Sequence, residues 1–239
     1  MLSAVGLQKS FDGVRIIDDV SLCVRRGEIV GLLGPNGAGK TTIFRLLTAT
    51  IVPDGGRITL DGVDLTRAPF YQRAQHGICY LPQESFVPRS LSVEDSLLTV
   101  LENRNITRRE RHYVLDSLLS DFNLAEIRKR RVSLLSGGER RRCEIAVSLA
   151  CNPCYALLDE PFAGVDPNAM EDIASLIRQL RARRVGVLIT DHNARALLSL
   201  VDRAYVLRDG HMLAEGKSAD IAADRGVQQF YLGEAFEIH

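Results

Sequence analysis

The 239-residue sequence has no excess of either charge, no apolar run long enough to span a bilayer, and no regular cysteine framework. Lys and Arg number 30, and so do Asp and Glu, so no global field draws the chain to nucleic acid or to an anionic membrane. A spanning helix needs about 20 consecutive apolar residues, and no stretch comes near that. The opening Met1-Leu2-Ser3-Ala4-Val5-Gly6 lacks the basic-then-apolar layout of a secretion leader, so none is expected. The five cysteines are odd in number and irregularly spaced, which predicts free thiols in a reducing cytosol. Cys151-Asn152-Pro153-Cys154 has CxxC spacing, but a lone pair cannot complete a four-ligand zinc site. Two small buried hydrophobes ahead of a strand are expected there, with a redox pair as the alternative. Internal repeats and low-complexity segments are absent as well.

What is present centres on Gly34-Pro35-Asn36-Gly37-Ala38-Gly39-Lys40-Thr41, followed by Thr42. The stretch fits G-x-x-x-x-G-K-[ST], the phosphate-binding loop. The apolar run Ile29-Val30-Gly31-Leu32-Leu33 before it reads as a buried parallel strand, and Thr41 to Leu47 reads as a helix. Glycines let the backbone fold tightly enough to aim successive N–H groups at phosphate oxygens, and the helix N-terminus adds partial positive charge. Lys40 then reaches the β- and γ-phosphates, and Thr41 supplies a hydroxyl to magnesium. A glycine-rich turn that binds nothing is the bland alternative. Lys and Thr in register between a strand and a helix argue against it.

Around this loop, Ala4 to Lys9 and Arg15 to Val24 predict strands about a turn at Ser10-Phe11-Asp12-Gly13. Pro53-Asp54-Gly55-Gly56 reads as a turn, and Arg57 to Leu60 with Val63 as a hairpin about Asp61-Gly62. A helix over Phe70 to Gln75 and a strand over Gly77 to Leu81 follow. From Ser85 to Ala150 strand signals vanish, and helical spacing appears at Val93-Leu97-Leu101 and Val114-Leu118-Leu119-Phe122. The clusters Arg128-Lys129-Arg130-Arg131 and Arg140-Arg141-Arg142 in this region are expected on a solvated surface, with a partner or lipid headgroups as the alternative. Strand and helix then alternate again: Tyr155 to Asp159, Pro167 to Arg183, Val185 to Thr190, Asn193 to Leu200, and a hairpin over Arg203 to Ala214. Two short helices near Ala219 to Ala223 and Val227 to Leu232 close the chain. The expected fold is α/β. It has a mainly parallel sheet with helices on both faces, an antiparallel β part, and a helical subdomain over 85–150 inserted between core segments 1–84 and 151–239.

A phosphate loop needs a carboxylate for magnesium and a group that acts on water. Asp159 ends an apolar strand, and Glu160 follows it. Carboxyl ends of parallel strands are where ligands sit in open α/β sheets, so Asp159 is expected to hold magnesium and Glu160 to act on the attacking water. A surface charge is the alternative for Glu160. Leu135-Ser136-Gly137-Gly138-Glu139 is a second helix start with bare N–H groups, and so a second anion site.

With these residues the chain resembles the ATP-binding cassette (ABC) ATPases over essentially its whole length, the second helix start being similar to that family's signature motif. The resemblance implies that Gln83 is the glutamine that touches magnesium and signals to the helical subdomain. It implies that Ala163-Gly164-Val165-Asp166 is the D-loop and that His192 contacts the γ-phosphate. It implies that Phe11 stacks on adenine, where tyrosine is commoner; a place in the core is the alternative for this ring. It also implies Mg-ATP hydrolysis by a homodimer, in which the signature motif of one copy faces the phosphate loop of the other. Two transmembrane subunits would be driven from the cytoplasmic face of the inner membrane, with no contact to cargo or nucleic acid. Glu139-Arg140-Arg141-Arg142, Phe162-Ala163-Gly164-Val165-Asp166 and Tyr231-Leu232-Gly233-Glu234 are most similar to cassettes that drive lipopolysaccharide export. There a single-span partner completes the membrane assembly. The first two runs also resemble cassettes of branched-chain amino-acid importers, which leaves that alternative open. Phe86, Val87, Pro88, Arg89 and Leu91 are the expected contacts for the membrane subunits, or else a helix-capping loop. A nucleotide-binding module without turnover, and a soluble cassette acting on DNA or ribosomes, are further alternatives. Glu160 with His192 argues against the first, and the lack of a basic stripe argues against the second.

Overall fold

The computed structural model describes residues 1–232, without the side chain of Asn168. Gly233-Glu234, part of the tail resemblance, lies outside the described residues. Two sheets organise the chain. Strands β1 (Leu2–Phe11), β2 (Val14–Val24), β4 (Gly55–Leu60) and β5 (Val63–Asp64) form an antiparallel sheet in the order β2-β1-β4-β5. The second sheet has six strands: β3 (Ile29–Leu33), β6 (Ile78–Leu81), β7 (Tyr155–Asp159), β8 (Gly186–Thr190), β9 (Arg203–Arg208) and β10 (His211–Lys217). Their order is β10-β9-β3-β8-β7-β6, parallel except for the β9–β10 hairpin.

Strands β3, β7 and β8 are buried at every residue, as continuous apolar runs in a covered parallel sheet should be. Alternate residues feed different cores, because successive side chains point to opposite faces. Leu33, Ala156, Leu158 and Ile189 join the larger apolar cluster, with the helices α3 (Val93–Leu101), α4 (Arg108–Asp121), α5 (Gly137–Leu149), α6 (Pro167–Ala182) and α7 (Ala194–Leu200). Leu32, Tyr155, Leu157 and Leu188 join the other, with α1 (Lys40–Leu47) and the antiparallel sheet. Helix α2 (Phe70–Gln75) precedes β6, and between β6 and β7 the chain is helical. Its apolar spacing is visible in the packing, since Val93, Leu97, Leu101, Leu118, Leu119 and Phe122 are buried. Ser92 caps α3, and Thr107 with Glu110 forms a reciprocal capping box on α4.

Some details differ from the sequence reading. Gly55 and Gly56 begin β4 rather than continue a turn, because Asp54 N–H already bonds Gln8 O at 2.8 Å. The CxxC pair is not a buried one. Cys151 is exposed and Cys154 half-buried, since Cys151 and Asn152 form the turn that leaves the buried end of α5 for solvent. The arginine clusters divide. Lys129 is solvated and pairs with Glu94, whereas Arg141 is buried. Val87 is buried in the larger cluster, which removes it from the residues available to a partner, while Phe86, Pro88 and Arg89 stay exposed. No helix among the described residues is long and apolar enough to cross a membrane.

Candidate functional site

Register brings the chemistry to one edge. Asp159 pairs with Thr190 across β7 and β8, and Gly31 pairs with Ile189 across β3 and β8. The loops after β3, β6, β7 and β8 therefore leave the same carboxyl-terminal edge. They carry Gly34–Gly39, Gln83, Glu160 and His192. A cleft of about 290 Å³ opens there, lined by Ile16, Asn36, Gly37, Gly39, Lys40, Thr41, Thr42, Glu160 and His192.

The loop into α1 is held by its own atoms. Lys40 Nζ donates to Gly34 O at 2.6 Å and to Pro35 O at 3.0 Å. Burial lowers the lysine pKa, against the pull of Glu160 and Asp159. Gly34 has φ +144, and an added Cβ there would overlap the Leu207 carbonyl and stand 3.2 Å from Ala38 Cβ. The Tyr231 phenol lies half-buried close to the Gly34 amide and Asp191, and burial pushes it above its ordinary range. The last described turn of the chain thus rests on the root of the loop, with the Phe230 ring 4.2 Å from the Arg208 guanidinium.

Across the cleft, both oxygens of Glu160 are engaged. Gln83 Nε2 donates to Oε2 at 2.7 Å, and His192 Nε2 lies 2.7 Å from Oε1. Glu160 is buried, whereas the His192 side chain is 55% exposed on the wall of the cleft. Asp159 is buried and accepts from Tyr80 Oη at 3.3 Å. Burial, and then the like charge of Glu160, push Asp159 up to about 6. Such a carboxyl gives up its proton when a cation arrives. No cluster of three or more His, Cys, Asp or Glu among the described residues could hold a metal by itself. With Glu160 taken up by Gln83 and His192, the oxygen donors left are the Asp159 carboxylate, the Thr41 hydroxyl and the Gln83 amide. That set suits magnesium, which keeps waters and takes phosphate oxygens as further ligands.

Two expected groups lie apart from this cleft. Ser136 caps α5 in a capping box: its Oγ accepts from Glu139 N–H at 3.3 Å, and Glu139 Oε2 accepts from Ser136 N–H at 2.8 Å. The Ser136 amide holds the Glu139 carboxyl below its ordinary range. Gly137 packs on the turn before α6, where a Cβ would come within 3.1 Å of Gly164 O, and Gly138 on the first turn of α6, where a Cβ would come within 2.7 Å of Ala169 Cβ. Asp166 accepts from Ala169 N–H at 3.0 Å and starts that helix. Phe11 is 41% exposed at the end of β1, with Lys9 Nζ 5.5 Å from its ring centre, which overturns the core alternative.

Three further residues support the site: Asp191, Tyr80 and Arg141. Asp191 is buried and accepts from Phe162 N–H at 3.1 Å and from Asn193 N–H at 3.0 Å. It joins the loops after β7 and β8. The rule that found Asp159, a carboxylate ending an apolar strand, applies equally to it. Asp191→Asn is expected to cost about 1–3 kcal/mol, because the amide turns one buried acceptor into a donor facing a donor. Urea unfolding measures the loss, and an unchanged midpoint would show that the bond carries nothing. Tyr80 could have been noticed as the strand residue sharing a face with Ile78. Arg141 is expected on the surface with Arg140 and Arg142 and is instead buried, because the carbonyls of Pro82, Asp159, Glu160 and Pro161 take its guanidinium.

A strand–loop–helix phosphate cradle facing a buried carboxylate pair, on a doubly covered parallel sheet, defines a P-loop nucleotide-hydrolysing fold. Comparison narrows the class. The family profile described as "ABC transporter" matches residues 17–163. A probable ABC transporter ATP-binding protein of Azorhizobium caulinodans is 54% identical over 237 residues, covering 99% of this chain and 84% of its own length. The lipopolysaccharide export system ATP-binding protein LptB of Haemophilus influenzae is 48% identical, over 100% of this chain and 99% of its own. LptB of Escherichia coli is 47% identical, with 99% of each covered. The solved ADP conformation of an ATP-binding cassette of an ABC transporter superposes with a TM-score of 0.87 at 26% identity, covering 98% of this chain and 99% of that one. The chain belongs to the ABC transporter family, as an ATP-binding subunit that hydrolyses ATP.

Proposed function

We propose that the chain powers lipopolysaccharide export from the cytoplasmic face of the inner membrane, working as a homodimer that closes on two Mg-ATP. Phosphates lie on the N–H groups from Gly37 to Thr42, with Lys40 leaving the Gly34 and Pro35 carbonyls to meet the β- and γ-phosphates. Thr41, Asp159 and Gln83 hold magnesium, which supplies charge neutralisation at the phosphate oxygens. Glu160 orients and deprotonates the attacking water once Gln83 and His192 release it, and His192 turns to the γ-phosphate. Ser136, Gly137, Gly138 and Glu139, with Asp166, serve the nucleotide bound by the second copy. None of these residues lines the chain's own cleft, which supports this division. Phe11 stacks on adenine.

Similarity to LptB along the full length of both chains carries the transport reading. The partners are then two LptF/LptG-like membrane subunits and a single-span LptC-like protein, docking at Phe86, Arg89 and Leu91. Purification of the tagged chain from native membranes in mild detergent, followed by mass spectrometry, tests it. Recovery of two related multi-span subunits with a single-span periplasmic partner is expected. That recovery should drop at least severalfold in Phe86→Ala and Arg89→Ala, whose side chains stand in solvent. Amino-acid permeases in the eluate would establish the importer alternative instead.

A further inference from the structure

Arg141 belongs to a cluster of three arginines, yet it is 6% exposed. A guanidinium has five N–H groups, and here all five are engaged. Nε donates to Pro161 O at 3.1 Å. Nη1 donates to Pro82 O at 3.0 Å and to Glu144 Oε2 at 3.0 Å. Nη2 donates to Asp159 O at 3.1 Å and to Glu160 O at 3.0 Å. Four of these partners are backbone carbonyls. One immediately precedes Gln83, and the others belong to the two carboxylate residues and the proline after them.

The placement has a physical purpose. Glu160 has φ +50, a left-handed conformation that a non-glycine residue holds only under support. Its N–H is held by Thr190 O at 2.9 Å, and its carbonyl by Arg141. Arg141 itself rides on α5, five residues after Ser136, which opens the same helix. One rigid fork therefore joins the start of α5, the carboxylate loop and the glutamine loop.

We propose that Arg141 is a positioning residue for ATP hydrolysis: it sets the Glu160 and Gln83 loops and fastens them to the Ser136 turn, so that engaging this turn on the second copy's nucleotide aligns the chain's own Glu160. The proposal rests on the assignment of Glu160 and Gln83 made above. Lysine at 141 keeps the charge but has three donors and no planar fork, so it cannot reproduce the set. Removing Arg141 alone leaves Glu144 buried and unpaired, a fold defect in its own right. The double variant Arg141→Met with Glu144→Leu avoids that defect, because both charges leave together.

The test is steady-state ATP hydrolysis by the full chain, set beside calorimetric binding of Mg-ADP and a thermal melt. In Arg141→Lys and in the double variant, kcat is expected to fall about 10²-fold, the scale of an ångström-level misplacement. Affinity for Mg-ADP should stay within about twofold, because the lost interaction acts on the reacting geometry and not on ground-state binding. Any dependence of the wild-type rate on more than one ATP should flatten in both variants. Glu144→Gln, which leaves the four carbonyl bonds in place, should retain most activity. A folded Arg141→Lys chain with near wild-type kcat would overturn the proposal. So would a loss of Mg-ADP affinity that tracks the loss of rate, since that marks general damage. Glu160→Gln run alongside separates the two readings: if it turns over normally, the site assignment fails whatever Arg141 does.

Discussion

Glu160→Gln is expected to slow ATP turnover by about 10²- to 10⁴-fold, the range a positioned general base supplies, while Mg-ATP still binds. The amide matches the carboxylate in shape, so the 2.7 Å contacts to Gln83 and His192 can be met after local rotation. What it cannot do is take a proton from water. The substitution also removes the like charge that helps hold Asp159 near 6, so Asp159 should fall toward the ordinary carboxylate range and bind a cation at lower pH. Lys40 loses one of the two carboxylates that support its charge against burial, a smaller effect on binding. Phosphate release and Mg-ATP calorimetry read the two consequences separately. Because nucleotide stays intact in this variant, sedimentation at saturating Mg-ATP should show a dimer. A monomer there would count against the two-copy arrangement, and residual turnover within about tenfold of wild type would place the base elsewhere.

Gly34→Ala is the second large effect. Position 34 combines φ +144 with a backbone carbonyl, that of Leu207, where the new methyl must go. Backbone cannot swing aside as the end of a long side chain can, so the loop root and β9 must separate. Such strain costs about 1–3 kcal/mol before any packing is lost, and a total of about 3–4 kcal/mol would put the change among severe substitutions. The consequence reaches the site, because Lys40 is stored on the Gly34 carbonyl. Urea unfolding should show a lower midpoint at unchanged slope, with weaker Mg-ADP binding in the same protein. A variant as stable as wild type would mean that the loop root has slack the geometry does not reveal.

The parts of this protein legible in its sequence are those in which neighbours along the chain cooperate. A phosphate loop is a strand end, a glycine turn and a helix start within about a dozen residues, and its N–H groups are aimed by local dihedrals alone. The same holds for the helix start at Ser136, for Asp159-Glu160 at the end of an apolar run, and for most of the strands. Order along the chain then carried the family resemblance, and with it the expectation that Gln83 and His192 belong with the phosphate loop. Only the tertiary structure decided what depends on distant partners. Three adjacent arginines are chemically alike on paper. Which of them is buried follows from carbonyls 18 to 59 positions away that α5 happens to cover. Asp191 meets Phe162 across 29 positions, Tyr231 reaches back to Gly34, and Val87 turns inward while Phe86 stays out. These outcomes are set by packing between elements, where each side chain takes whatever polar or apolar surface its neighbours leave. No local pattern in the sequence encodes that surface.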